Sequence, residues 1–133
     1  MLNHLWNNRL YVSLILVVLI IGYIEIFSFS KTILHDAIDY YYPWRKSIVE
    51  SIRQGSFPLW EPYQELGSPI MSNPQSGAWS PILWIISIFG EYNLYTLNVE
   101  YVLHLLICGI GSYALFLHYD KNRFSGFIGA CIY

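Results

Sequence analysis

Residues 35–81, HDAIDYYYPWRKSIVESIRQGSFPLWEPYQELGSPIMSNPQSGAWSP, form a polar, aromatic stretch set between two apolar runs. Its length decides the reading. Helix–helix connections are ordinarily a few residues long, whereas this one holds two early acids, a tyrosine run and all six prolines of the chain. Long connecting segments carry chemistry while a rigid scaffold holds them in place. The flanking apolar runs are therefore read as the scaffold and residues 35–81 as the working surface.

The scaffold is a membrane one by composition. Of the 133 residues, 55% are hydrophobic and only 12% charged, about half the charged fraction usual for a soluble domain. A net charge of −2 with seven dispersed basic residues excludes a nucleic-acid partner, which needs clustered Lys and Arg. Cys108 and Cys131 both sit in apolar helical patterns, where a thiol behaves as a small hydrophobe. Neither has the spacing of a metal or redox motif.

Working outward, residues 10–29 are apolar for long enough to cross a bilayer. This run is too long for a signal-peptide core and lacks a small-residue cleavage site. Arg9 before it predicts a cytoplasmic N-terminus over residues 1–9. Residues 30–91 then form an extracytoplasmic loop. Within it Pro43 and Gly55 bracket a helix over 43–54, with Trp44, Ile48 and Ile52 on one stripe. Lys46–Glu50 and Glu50–Arg53 are spaced as ion pairs. Such a helix lies on the bilayer or against neighbouring helices. Residues 81–89 are apolar but too short to span, which predicts an interfacial or re-entrant helix. Residues 92–118 form the second span, and Lys121 and Arg123 place the turn at 119–123 in the cytoplasm. Residues 124–133 open a third apolar segment that stops at about half the length needed to span. The expectation is the N-terminal fragment of a longer polytopic protein, inactive by itself because one loop and two spans cannot enclose donor and acceptor.

Several residue groups in the loop could carry chemistry. Asp36 and Asp39, at i and i+3, share a face of a helical turn. They read equally as a general base or cation ligands and as a helix cap with a supporting acid. His35 beside them reads as a ligand or, more simply, as a solvated polar residue. The aromatics Tyr40, Tyr41, Tyr42, Trp44, Trp60, Tyr63, Trp79 and Trp84 fit an interfacial belt. Trp60 and Tyr63, between prolines, are the exceptions that suit stacking on sugar rings. Arg45 suits a lipid phosphate, while Lys46 suits a solvated helix face. Asn73 and Gln75 offer amides for hydroxyl groups, or an ordinary turn. Glu25 and His104 are ionisable groups in or near the spans.

Together HDAIDYYYPWR, GSFPLWEPYQELGSPIMSNPQSGAWSP and HLLICGIGSYALF resemble the N-terminal region of bacterial YfhO-like membrane proteins, from about His35 to Tyr133. The resemblance implies an all-α membrane protein, a polytopic helical bundle of the GT-C glycosyltransferase type in the plasma membrane. It implies transfer of a sugar from a polyprenyl-phosphate donor to a cell-envelope acceptor on the outer face, with an acid in the first external loop as base or ligand of a divalent cation. Asp36 matches the family's Asp. Asp39 departs from the pattern, where Gln or another polar residue stands. The competing reading is a non-enzymatic polytopic protein whose loop binds envelope polymer or a protein partner. A transporter is a third, disfavoured by the few polar groups in the spans.

Overall fold

The computed structural model describes residues 8–33, 35–63 and 66–132. Most of them are helical, and among them no strand occurs beyond an isolated antiparallel bridge between Glu61 and Ser68. The expected N-terminal segment up to residue 7, and Tyr133 at the end of the last expected segment, lie outside the described residues. Two compact units divide the chain, one comprising residues 1–30 and 101–133, the other Lys31–Glu100.

In the first unit the run expected to be one helix over 10–29 is broken. Helix α1 covers Arg9–Gly22 and a single further turn, α2, covers Ile24–Phe27, with the break at Tyr23. Gly22 is the weakest helix former in the run, and Tyr23 leaves helical geometry directly after it. Helix α1 packs against the C-terminal helix of the chain, Arg123–Ile132. Ile15, Tyr113 and Ala130 form the buried centre, and Tyr11 stacks on Tyr113 at 6.2 Å between ring centroids. Many apolar side chains of this unit are exposed, among them Leu14, Val17, Ile21, Ile107, Leu115 and Ile128.

The second unit contains α3 (Tyr42–Arg53), α4 (Pro81–Phe89) and the start of α5 (Leu94–Asp120). Two short 3₁₀ turns, Ile70–Ser72 and Pro74–Ser76, lie between α3 and α4. Helix α3 packs on α4, and Ile48, Val49, Ile70, Ala78, Leu83, Tyr92 and Leu97 are buried between the elements. Ile48, Val49 and Leu83 are wholly buried, each contributing about 2 kcal/mol of hydrophobic stabilisation. The stripe of Trp44, Ile48 and Ile52 thus faces protein, with Trp44 and Ile52 flanking the core. Lys46 and Glu50 approach to 3.9 Å, but Arg53 reaches Glu91 at 3.9 Å rather than Glu50.

Helix α5 has 27 residues and is long and apolar enough to cross a membrane. It starts two residues later than expected, because Asn93 Oδ1 accepts the Thr96 N–H at 3.0 Å and so caps it. It also continues to Asp120, so the turn shortens to Lys121 and Asn122. Asn122 Oδ1 accepts the Phe124 N–H at 2.9 Å and starts the last helix, α6, at Arg123.

Candidate functional site

The site is built from the residues just ahead of α3. Pro43 at the second position of this helix has no N–H to donate, and its ring would strike the carbonyl four residues back in an unbroken α-helix. The chain meets this with one wide π turn, Ala37–Tyr41, that runs directly into α3. Such turns are rare, appear mostly as single turns within α-helices, and are frequent at functional sites. Asp36 stands at the head of the turn and makes no capping hydrogen bond.

A pocket of about 570 Å³ opens between this turn and the two 3₁₀ turns. One wall is Asp36, Tyr40, Tyr41 and Trp44; the other is Ser68, Pro69, Ser72, Asn73 and Gln75. Tyr40 and Tyr41 lie 6.1 and 5.9 Å from the Trp44 ring, between centroids. One carboxylate, three aromatic rings, hydroxyls and amides thus share one concave surface, a composition suited to a polyhydroxylated ligand.

The second wall is held from behind. Ser76 Oγ, fully buried, lies 2.8 Å from both the Ile70 and Asn73 carbonyl oxygens and accepts the Ala78 N–H at 3.2 Å. Asn73 Oδ1 accepts the Gln75 N–H at 3.0 Å, so the Asn-Pro-Gln segment is a side-chain-capped turn and a pocket wall together. Arg45 ties the two walls. Its guanidinium donates to the Gln75 carbonyl at 3.3 Å and to the Ser76 carbonyl, and lies 5.6 Å from the Tyr41 ring centroid.

Arg45 is held in turn by Glu100 on α5, Nε to Oε1 at 3.0 Å, with side chains only 15% and 5% exposed. The Tyr92 hydroxyl donates to the other Glu100 oxygen. Burial, and then the neighbouring Glu100 carboxylate, push the Tyr92 phenol far above its ordinary value, so it stays protonated and donating. Glu100 escaped the sequence reading because it lies within a run that reads as a span. The signal for it was present: a carboxylate inside such a run needs a partner.

The structure thus brings Asp36, Asn73 and Gln75 to one pocket and sets the other expected residues elsewhere. Arg45 lies behind the pocket, engaged with Glu100 and two carbonyls rather than turned toward a phosphate. Asp39 is exposed and does not line the pocket, because in the wider π turn residues three apart no longer stack as they do in an α-helix. Trp60 and Tyr63 are also outside it. They are 55% and 85% exposed, and the Trp60 indole lies against Gly67.

The expected divalent cation does not fit these residues. A hard cation takes six or more oxygen ligands, usually several from carboxylates. Among the described residues no group of three or more His, Cys, Asp or Glu converges, and Asp39 does not join Asp36 at the pocket.

Gly77 closes the second wall in the left-handed conformation, φ +71°. A Cβ there would lie 2.5 Å from the Arg45 guanidinium. Gly77→Ala is therefore expected to cost about 1–2 kcal/mol for the backbone conformation alone, and more as Arg45 is displaced. Thermal unfolding of the purified variant checks this, and an unchanged melting temperature would contradict the close approach.

No protein-family model, no curated protein and no solved structure matches this chain.

Proposed function

We propose that the pocket binds the sugar of a polyprenyl-phosphate donor, and that the protein transfers this sugar to an envelope acceptor at the outer face of the plasma membrane. The observation that carries the reading is the pocket itself: Asp36 opposite Asn73 and Gln75, with Tyr40, Tyr41 and Trp44 beside it. Support comes from α5, long and apolar enough to cross a bilayer, and from the exposed apolar side chains of α1, α5 and α6. The resemblance of residues 35–133 to YfhO-like proteins points the same way. In this reading α1 with α2 and α5 cross the membrane, the N-terminus and Lys121 are cytoplasmic, and the pocket is extracytoplasmic.

The reaction is a displacement at the anomeric carbon. Asp36 accepts the proton of the acceptor hydroxyl as its oxygen forms the new bond to that carbon. The bond from the anomeric carbon to the phosphate oxygen breaks, and the polyprenyl phosphate leaves with the electron pair. The test is turnover of a polyprenyl-phosphate-linked hexose by the full-length protein in vesicles, read as release of polyprenyl phosphate. Absence of turnover across the common hexoses refutes the reading.

Trp60 and Tyr63 favour a second one. Two exposed aromatics outside the pocket suit a surface that holds envelope polymer without chemistry. Polymer binding without donor turnover, lost in Trp60→Ala with Tyr63→Ala, would select it.

A further inference from the structure

Charge is distributed unevenly around the pocket. Among its described lining residues Asp36 carries the single formal charge, and the opposite wall offers only the hydroxyls of Ser68 and Ser72 and the amides of Asn73 and Gln75. Asp36 is exposed and makes no capping hydrogen bond. One cation touches the walls from behind. The Arg45 guanidinium donates to the Gln75 and Ser76 carbonyls and lies 5.6 Å from the Tyr41 ring centroid, so it meets both walls. An arginine in that place suits a ligand bearing a carboxylate, because its planar fork matches two carboxylate oxygens. Here the charge is already matched: Nε donates to Glu100 Oε1 at 3.0 Å, with side chains 15% and 5% exposed. A buried pair is screened little by salt, so the match holds in ordinary buffers. What a ligand meets is the Asp36 carboxylate.

We propose that the Arg45–Glu100 pair sets the charge selectivity of the pocket: uncharged sugars enter, and sugars that bear a carboxylate, the uronic acids, are excluded. The proposal rests on the reading of the pocket as a sugar site. Two effects act in the same direction. A sugar carboxylate seated in a cavity of about 570 Å³ lies on the order of a Debye length from Asp36, and the two like charges repel. Entry also strips water from that carboxylate, a cost that a free cation would offset and neutral amides offset poorly. Hydroxyls carry neither penalty. Asp36 accepts from them, and Asn73, whose Oδ1 is taken by the Gln75 N–H at 3.0 Å, keeps its amide nitrogen to donate to them.

Glu100 is thereby a specificity determinant although it does not line the pocket. It acts through Arg45. Removing its charge uncovers a guanidinium against both walls and offsets Asp36, while Gln at this position still accepts from the Tyr92 hydroxyl.

The experiment measures, by saturation-transfer NMR, dissociation constants for the methyl glycosides of glucose, glucuronic acid and glucuronamide. The full-length protein is held at neutral pH in a detergent whose head is uncharged and contains no sugar. Glucuronamide has the size of the acid without its charge. It should bind as the glucoside does, and the glucuronide about tenfold more weakly. Asp36→Asn should shrink the ratio of glucuronide to glucoside constants by removing the repelling charge, and Glu100→Gln should shrink it by uncovering Arg45. Arg45→Met with Glu100→Met, which leaves neither charge behind the wall, should keep the parent's ratio. Melting temperatures establish that each variant is folded. A glucuronide that binds as tightly as the glucoside overturns the selectivity, and a glucuronamide as weak as the glucuronide assigns the exclusion to size. An unchanged ratio in Asp36→Asn overturns it whether or not Glu100→Gln folds. A ratio that stays in folded Glu100→Gln, or falls in the double variant, removes Glu100 and Arg45 as its source. If none of the three glycosides binds, the sugar reading fails and the selectivity falls with it.

Discussion

Glu100→Ala should lower the stability of the Lys31–Glu100 unit by about 3–5 kcal/mol, the cost of stranding one member of a buried ion pair. The magnitude follows from what remains. Arg45, 15% exposed, would keep its charge with the Gln75 and Ser76 carbonyls and the Tyr41 ring as its remaining partners among the described residues. The Tyr92 hydroxyl would lose its acceptor in a buried setting. Glu100→Gln should cost less, because its amide oxygen still accepts from Tyr92. Replacing both Arg45 and Glu100 by Met should cost less than the sum of the single changes, since neither charge is then left alone. Denaturant titration of the purified chain, followed by tryptophan fluorescence, measures each. If Glu100→Ala unfolds at the parent's midpoint, the cluster contributes nothing. The sign with pH follows from Tyr92. Its folded-state value lies above its ordinary value of 10.0, so the contribution is complete below that pH and is lost as pH rises beyond it.

This cluster also marks the limit of what the chain reveals before it folds. Helices α3 and α4 were legible for different reasons: Pro43 and Gly55 bracket the first, and the second is an apolar run too short to span. Asp36, Asn73 and Gln75 were legible as polar groups in an aromatic loop, although nothing in their spacing says that residue 36 meets residues 73 and 75. The π turn was not legible, since it answers a clash between Pro43 and a helix that begins several residues earlier. That turn separates Asp36 from Asp39. Arg45 was misjudged for a related reason: a surface arginine and one buried on a glutamate 55 residues away look alike in sequence. The break at Tyr23 was hidden too, because hydropathy averages over a run and does not register one residue leaving helical geometry.

Asp36→Asn should reduce sugar transfer by about 10²- to 10⁴-fold, the usual contribution of a positioned general base, with little change in stability. The two halves of this expectation have separate causes. The amide keeps the shape of the carboxylate, so the pocket still takes the donor and its apparent affinity holds, but it cannot accept a proton from the acceptor hydroxyl. Stability is spared because the side chain is exposed and makes no capping hydrogen bond at the head of the π turn. Asp39→Asn is the matched comparison. It removes the same charge three residues away, outside the pocket lining, and should change turnover by no more than a small factor. Rates at saturating donor, together with melting temperatures of both variants, decide the matter. Turnover retained in Asp36→Asn would remove the base from the mechanism. A larger loss in Asp39→Asn would move the chemistry to the other side of the turn, and the pocket described above would then be a binding surface alone.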